Sequence, residues 1–219
     1  MTPEALWAMG RIGGFAVSPD GKKIAYLANK TEIRIYDIKT GTSTVVMPAK
    51  DMFSYTDASH SFEWSPDSKW ILTEYLGPDN WNSTDIAVIS ADGKHLHNIT
   101  RSGYSDGSPH WALNGKAVTF TSDRAGYRSH GSWGAEYDAY LMFFDLEAYE
   151  RYRMNKEERA LAKENMTEKE KKKEEKKEEK EKKEMEKPEA KEMEPLKFDL
   201  ENCRDRIVRL TVTPSFLGD

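Results

Sequence analysis

Polar and apolar residues alternate in short runs along this chain, and the runs come in sets. Glu32-Ile33-Arg34-Ile35-Tyr36-Asp37-Ile38 alternates at period two, as a strand with one buried face does. Ile24 to Leu27 and Thr44 to Val46 flank it, and Phe15 and Val17 precede it. The same plan returns with Phe62 and Trp64, then Trp70 to Tyr75, Asp85 to Ile89 and His95 to Thr100. A third set holds Trp111, Ala117 to Thr121 and Tyr140 to Asp145. Turn chemistry marks the joints: Val17-Ser18-Pro19-Asp20-Gly21-Lys22 recurs 47 positions later as Trp64-Ser65-Pro66-Asp67-Ser68-Lys69. After another 47 it recurs, more degenerate, as Trp111-Ala112-Leu113-Asn114-Gly115-Lys116. Proline presets one turn dihedral and glycine accepts positive φ, so each hexapeptide reads as the turn between two strands. A period in the forties built from four short strands predicts an all-β fold, a partial β-propeller of about three four-stranded blades.

The third set lacks its outer strand where the period would place it. Asp205-Arg206-Ile207-Val208-Arg209-Leu210-Thr211 resembles the ending of the second set, His95 to Thr100, and is predicted to be the missing strand, displaced by an insertion. The predicted organisation is an entry segment at 1–13, blades over 14–146 and 201–219, and a charged helical or disordered insertion at 147–200. Thr213-Pro214-Ser215-Phe216 would open a further blade.

Charge alters the picture only inside that insertion. Charged residues are 32% of the chain, yet positions 155–194 alone hold 14 Lys/Arg and 15 Asp/Glu. Opposite charges four apart, Glu168 with Lys172 and Glu178 with Lys182, suit a solvated helix. Its few apolar residues, among them Tyr149, Tyr152, Met154 and Leu161, form no broad stripe. The net charge of −5 lacks the basic excess of a nucleic-acid binder, and no run reaches the length of a membrane span. The single Cys203 excludes an internal disulfide. His60, His95, His97, His110 and His130 have no metal-site spacing, so neither metal nor cofactor is expected.

Two segments carry candidate chemistry. Gly103-Tyr104-Ser105-Asp106-Gly107 fits the G-x-S-x-G pattern, but that nucleophile needs a sharp strand-to-helix turn, and here a strand follows. It is read as a loop, and no catalytic residue is assigned. The connection from Asp123 to Tyr137 is long and glycine-rich, with Arg124, Tyr127, Arg128 and His130 followed by Trp133. Together with Trp81 of the matching loop in the second set, these residues are the candidate peptide-binding surface: guanidinium for a carboxylate, rings for side chains. The competing reading has the rings filling gaps between blades and the arginines pairing with acids such as Asp123.

Thr121-Ser122-Asp123-Arg124-Ala125-Gly126 and the Ser-Pro-Asp-Gly-Lys repeat resemble the WD40-like blades of TolB-like and tricorn-protease propellers. Gly131-Ser132-Trp133-Gly134-Ala135-Glu136, Met142-Phe143-Phe144-Asp145 and Leu196 to Asn202 around the charged excursion resemble, more specifically, bacterial tricorn-type serine proteases. The opening Thr2-Pro3-Glu4-Ala5-Leu6-Trp7 with Gly10-Arg11-Ile12 is similar to the propeller entry of prolyl-oligopeptidase-family enzymes. The resemblance implies a non-catalytic propeller segment of a serine peptidase that gates or guides peptides and supports assembly. The alternatives are a stand-alone TolB-like interaction propeller or the propeller of a prolyl-oligopeptidase-type enzyme. Implied partners are peptides or unfolded chains, the remaining blades and peptidase domain of the parent, and further copies of the chain. The implied compartment is the periplasm, with the cytoplasm as the alternative.

Overall fold

The computed structural model describes residues 12–54, 60–78, 80, 82–128, 134–165 and 195–215. These form three antiparallel sheets of four strands, each a meander. Blade one holds β1 (Ile12–Val17), β2 (Lys23–Ala28), β3 (Glu32–Asp37) and β4 (Thr42–Met47). Blade two holds β5 (Phe62–Trp64), β6 (Trp70–Tyr75), β7 (Asp85–Ser90) and β8 (Leu96–Asn98). Blade three holds β9 (Asp106–Ala112), β10 (Ala117–Ser122), β11 (Asp138–Phe143) and β12 (Ile207–Arg209). The inner strand β9 starts five residues before the Trp111 that marks it in the sequence.

One side-chain device makes the tight turns. The hydroxyls of Ser18, Ser65 and Ser90 donate to the aspartate two residues on, at 2.7, 2.6 and 2.6 Å. The same oxygens accept the N–H of Lys23, Trp70 and His95, so one serine closes each turn from both sides. Gly21, Ser68 and Gly93 occupy the left-handed position, at φ 69°, 60° and 71°. The third repeat has no Ser or Asp here. Leu113, Asn114 and Gly115 instead run through positive φ in succession, at 51°, 54° and 82°.

The blades stack through apolar faces. Ala25, Leu27, Ile33, Ile35 and Met47 of blade one pack on Trp64, Ile71 and Ile89 of blade two. Leu72, Ile86 and Val88 of blade two pack on Val118, Phe120 and Met142 of blade three. The repeated tryptophan fixes the register of each seam: Trp64 Nε1 donates to Ala16 O at 3.0 Å, and Trp111 Nε1 to Glu63 O at 3.5 Å. Val17 holds the equivalent place in blade one, on a face no described residue covers, and is exposed.

The displaced strand is found where it was expected. β12 pairs with β11 in the register Tyr140↔Arg209, Leu141↔Val208, Met142↔Ile207. A buried clasp secures it: Asp138 Oδ1 accepts from Arg209 Nη2 at 2.8 Å and from Thr211 Oγ1 at 2.6 Å. Blade two has the same clasp, in which Asp85 accepts from Asn98 Nδ2 at 2.8 Å and Thr100 Oγ1 at 3.1 Å. Beyond the clasps, Asp106 N–H bonds Thr84 O, and Ser215 bonds Tyr137 through both backbone groups. Ser215 thus stands to blade three as Asp106, the first residue of β9, stands to blade two; Phe216 lies outside the described residues.

The excursion between β11 and β12 is anchored at both ends. Asp145 caps α1 (Leu146–Arg153) by accepting from Ala148 N–H at 2.7 Å. Tyr149 and Tyr152 of α1 lie 5.5 and 5.3 Å from the Phe143 ring, covering part of the outer face of blade three. Asn155 and Glu158 form a reciprocal capping box at the start of α2 (Lys156–Asn165), which buries no residue. On the return leg, Phe198 sits 5.1 Å from Trp70, 5.8 Å from Trp111 and 4.7 Å from Phe144. Leu196 N–H donates to Asp67 Oδ2, and the Leu196 methyls lie where a Cβ on Gly115 would be. The stretch 195–200 is therefore a strap across the seam of blades two and three.

The clasp gives a direct test. Asp138→Ala strips a buried partner from Arg209 and Thr211 and is expected to cost about 3 kcal/mol in urea unfolding. Thr211→Val, which keeps the shape, should cost about 1 kcal/mol.

Candidate functional site

Each blade has two ends. The serine turns lie at one, with the strap. Loop 101–105 and the described parts of loops 76–84 and 123–137 lie at the other, where the second strand of each blade ends and the third begins. At this loop end, a cleft of about 250 Å³ opens between blades two and three. Glu74 and Thr84 line it from blade two; Asp106, Ser108, Thr121 and Tyr137 line it from blade three.

A break in the inner strand shapes the cleft. β9 shifts register against β10 between Thr119 and Thr121, and Ser108 takes positive φ at 48°. The Ser108 N–H released by this irregularity is accepted by Glu74 Oε1 of blade two at 2.9 Å. Glu74 reaches it across Gly107, where a Cβ would stand 3.0 Å from Oε1. Bulges beside sites re-aim side chains in this way. Thr84 Oγ1 donates to Asp106 O at 2.9 Å, and Thr121 Oγ1 donates to Gly107 O at 3.1 Å. Both threonine hydrogens are thus spent on the β9 backbone.

Arg124 and Arg128 do structural work behind the cleft. Arg124 Nη2 bonds both oxygens of the buried Asp106 at 2.9 and 3.1 Å, and Nε bonds Ser122. Its guanidinium lies 4.8 Å from the Tyr140 ring centre and 5.3 Å from that of Phe120. Arg128 Nε pairs with the buried Asp123 at 3.1 Å, Nη2 bonds Gly103 O, and the group stacks 4.9 Å over Tyr104. Tyr127 is two-thirds exposed, at 66%. Trp81, His130 and Trp133 lie outside the described residues. Of the candidate peptide-binding residues, then, the structure shows two arginines engaged with acids and one ring open to solvent.

The phenol of Tyr137 reports the field in the cleft. Burial raises its pKa, the negative charges of Asp123 and Glu74 raise it further, and Arg128 offsets part of this. Ser105 is buried, its N–H donates to Asp123 Oδ1 at 3.0 Å, and strand β9 follows it directly. The strand-to-helix elbow that G-x-S-x-G chemistry requires is not formed by these residues.

Two relatives share about half of this chain. A tricorn-like protease C-terminal subunit of Sulfurisphaera tokodaii is 31% identical over 116 residues, 53% of this chain and 13% of that protein. A tricorn protease homolog of Saccharolobus solfataricus is 32% identical over 114 residues, 52% of this chain and 10% of that protein. The crystal structure of the tricorn protease superposes with a TM-score of 0.55 at 15% identity, covering 94% of this chain and 18% of that one. By sequence and by fold, this chain is similar to tricorn protease homologues. TolB-like and prolyl endopeptidase chains are also among the structural neighbours. No family model matches. The matched region is between a tenth and a fifth of the length of these tricorn proteins.

Within this tricorn-like segment, His60 sits buried beside the entry to blade two. Thr73 Oγ1 spends its hydrogen on Ser61 O, so His60 Nε2–H donates to Thr73 Oγ1, at 2.6 Å; among the described residues Nδ1 has no hydrogen-bond partner. Desolvation lowers the His60 pKa, partly offset by its backbone hydrogen bonding. The folded ring therefore binds a proton less readily than the unfolded one, so stability falls as pH drops below about 6.5, the unfolded value. Urea midpoints between pH 7.5 and 5.5 should decline, and His60→Gln should flatten that decline.

Proposed function

We propose that this chain is a non-catalytic propeller segment of a tricorn-like serine peptidase, contributing a surface that guides peptide substrates. What carries the reading is the combination of 31% and 32% identity to tricorn proteins with a blade architecture that superposes on the tricorn protease. The cleft at the loop end adds to it: polar, shallow and set between blades, it suits an extended chain better than an apolar small molecule. Its partners in this reading include further propeller blades. Val17, Tyr36 and Val45 on the outward face of blade one are exposed, and Val17 and Tyr36 occupy the repeat positions of Trp64 and Ile89, both buried in the next seam.

The test is titration of the chain with unstructured peptides of eight to twelve residues, about the length that an extended strand needs to span the loop end. Binding is expected, with Tyr127→Ala and Trp133→Ala each weakening it by about threefold to tenfold. Peptides left intact by the chain alone, with or without Ser105→Ala, are the expected result of an activity assay. Absence of any peptide binding would overturn the reading.

A further inference from the structure

We propose that the free edge of β1 in blade one binds an extended peptide by strand addition, with apolar side chains at alternate peptide positions resting beside Phe15 and Val17. The proposal rests on the reading of this chain as a peptide-guiding segment and names a contact separate from the cleft at the loop end.

The blades differ in how their edge strands are protected. Natural sheets blunt an exposed edge by shortness, charge or proline. β5, β8 and β12 are three residues long, and β9 carries Pro109 in its interior. Blade one has none of these devices: β1 and β4 are six residues each, without charge or proline. β4 is partly taken, because Gly93 of blade two stands against Val45 O and Val46. β1 ends its sheet, paired with β2 on one side, and among the described residues no strand pairs with its other side.

This open edge suits a second backbone. The register of β1 against β2 shifts between Ile12 and Phe15, at the pair Gly13-Gly14. Nothing stands within 4 Å of where a Cβ on Gly14 would be, and glycine inside a strand marks places of close backbone approach. Phe15 and Val17 share one face and are 71% and 53% exposed. The strand is held before a ligand arrives, since Trp64 Nε1 of blade two donates to Ala16 O at 3.0 Å. An added peptide gains main-chain hydrogen bonds, which are indifferent to its sequence, and contacts from every second side chain, which are not. A further blade would use the face of blade one, as both described seams pack by faces while the sheets stay separate. A second copy's β1 is the poorer occupant of the edge, since its Gly13 and Gly14 bring no side chains to the cross-strand pairs that stabilise a sheet.

The experiment is calorimetry and amide hydrogen exchange on the whole chain. The probe is an end-blocked peptide of about eight residues, valine alternating with serine or threonine, long enough to span the edge. Two further forms are N-methylated on alternate residues, one for each side of the extended peptide. One methylated form should bind at least about tenfold more weakly, having lost the main-chain donors that face β1, while the other binds as the parent does. The bound parent peptide should slow exchange across Ile12–Val17. Phe15→Lys sets a charge beside the edge and should weaken binding about tenfold or more, with urea unfolding unchanged because Phe15 is exposed. Equal binding by the two methylated forms, unslowed exchange in β1, or binding untouched by Phe15→Lys would overturn strand addition and leave peptide guidance standing. A dimer in sedimentation that Phe15→Lys dissolves would assign the edge to a second copy and overturn the peptide site. No binding by any form would overturn both.

Discussion

Everything at the loop end depends on one pairing, that of β12 with β11. The two strands are separated by more than sixty residues of chain, yet Tyr140 to Met142 find Arg209 to Ile207 in register. Without β12, β11 would be an open edge, and Tyr140 and Met142 would lack the frame that presses them into the seam with blade two. The clasp at Asp138 then fixes the end of β11 and with it the adjacent Tyr137, a wall of the cleft. Closing so long a loop costs only logarithmically more than closing a short one, so blade three tolerates the excursion once its ends are tied. Those ties are local: α1 on Phe143 at the exit, Phe198 among Trp70, Trp111 and Phe144 on return.

The parts that were legible in the sequence are those with a period. The turn after each inner strand and the alternating strands recur at 47 residues, with the serine shared by blades one and two and the tryptophan by blades two and three, because each solves the same local problem; the displaced strand was found by its likeness to His95–Thr100. The strap was not legible. Leu196 and Phe198 sit beside a run of Lys and Glu with no periodic partner, and only folding shows that Gly115 leaves room for Leu196. Likewise Arg124 and Arg128 offered two readings until their acids were placed. Asp123 was a neighbour in sequence, but Asp106 lies on a different strand.

The cleft escaped the sequence for a deeper reason. Its acceptors come from the end of β6, the start of β7, the irregular part of β9 and the end of β10, four places that share no spacing. Nor does residue type reveal it, since a threonine on a strand is usually there for β-propensity. What sets Thr84 and Thr121 apart is the direction of a hydrogen, and that direction is set by carbonyls that only the bulged β9 presents.

The two ends of the blades have been given different tasks. At the turn end, the strap crosses between Asp67 and Gly115 and closes the seam against further contact. At the loop end, the strand break at Ser108 shapes the cleft, and Glu74 ties the two blades there by accepting the Ser108 N–H across the seam. The two described legs of the excursion leave and re-enter blade three at the turn end, away from Glu74 and Tyr137. The polar groups of the cleft are held by backbone from both blades, Glu74 by Ser108 N–H, Thr84 by Asp106 O and Thr121 by Gly107 O, so their directions are set by the fold.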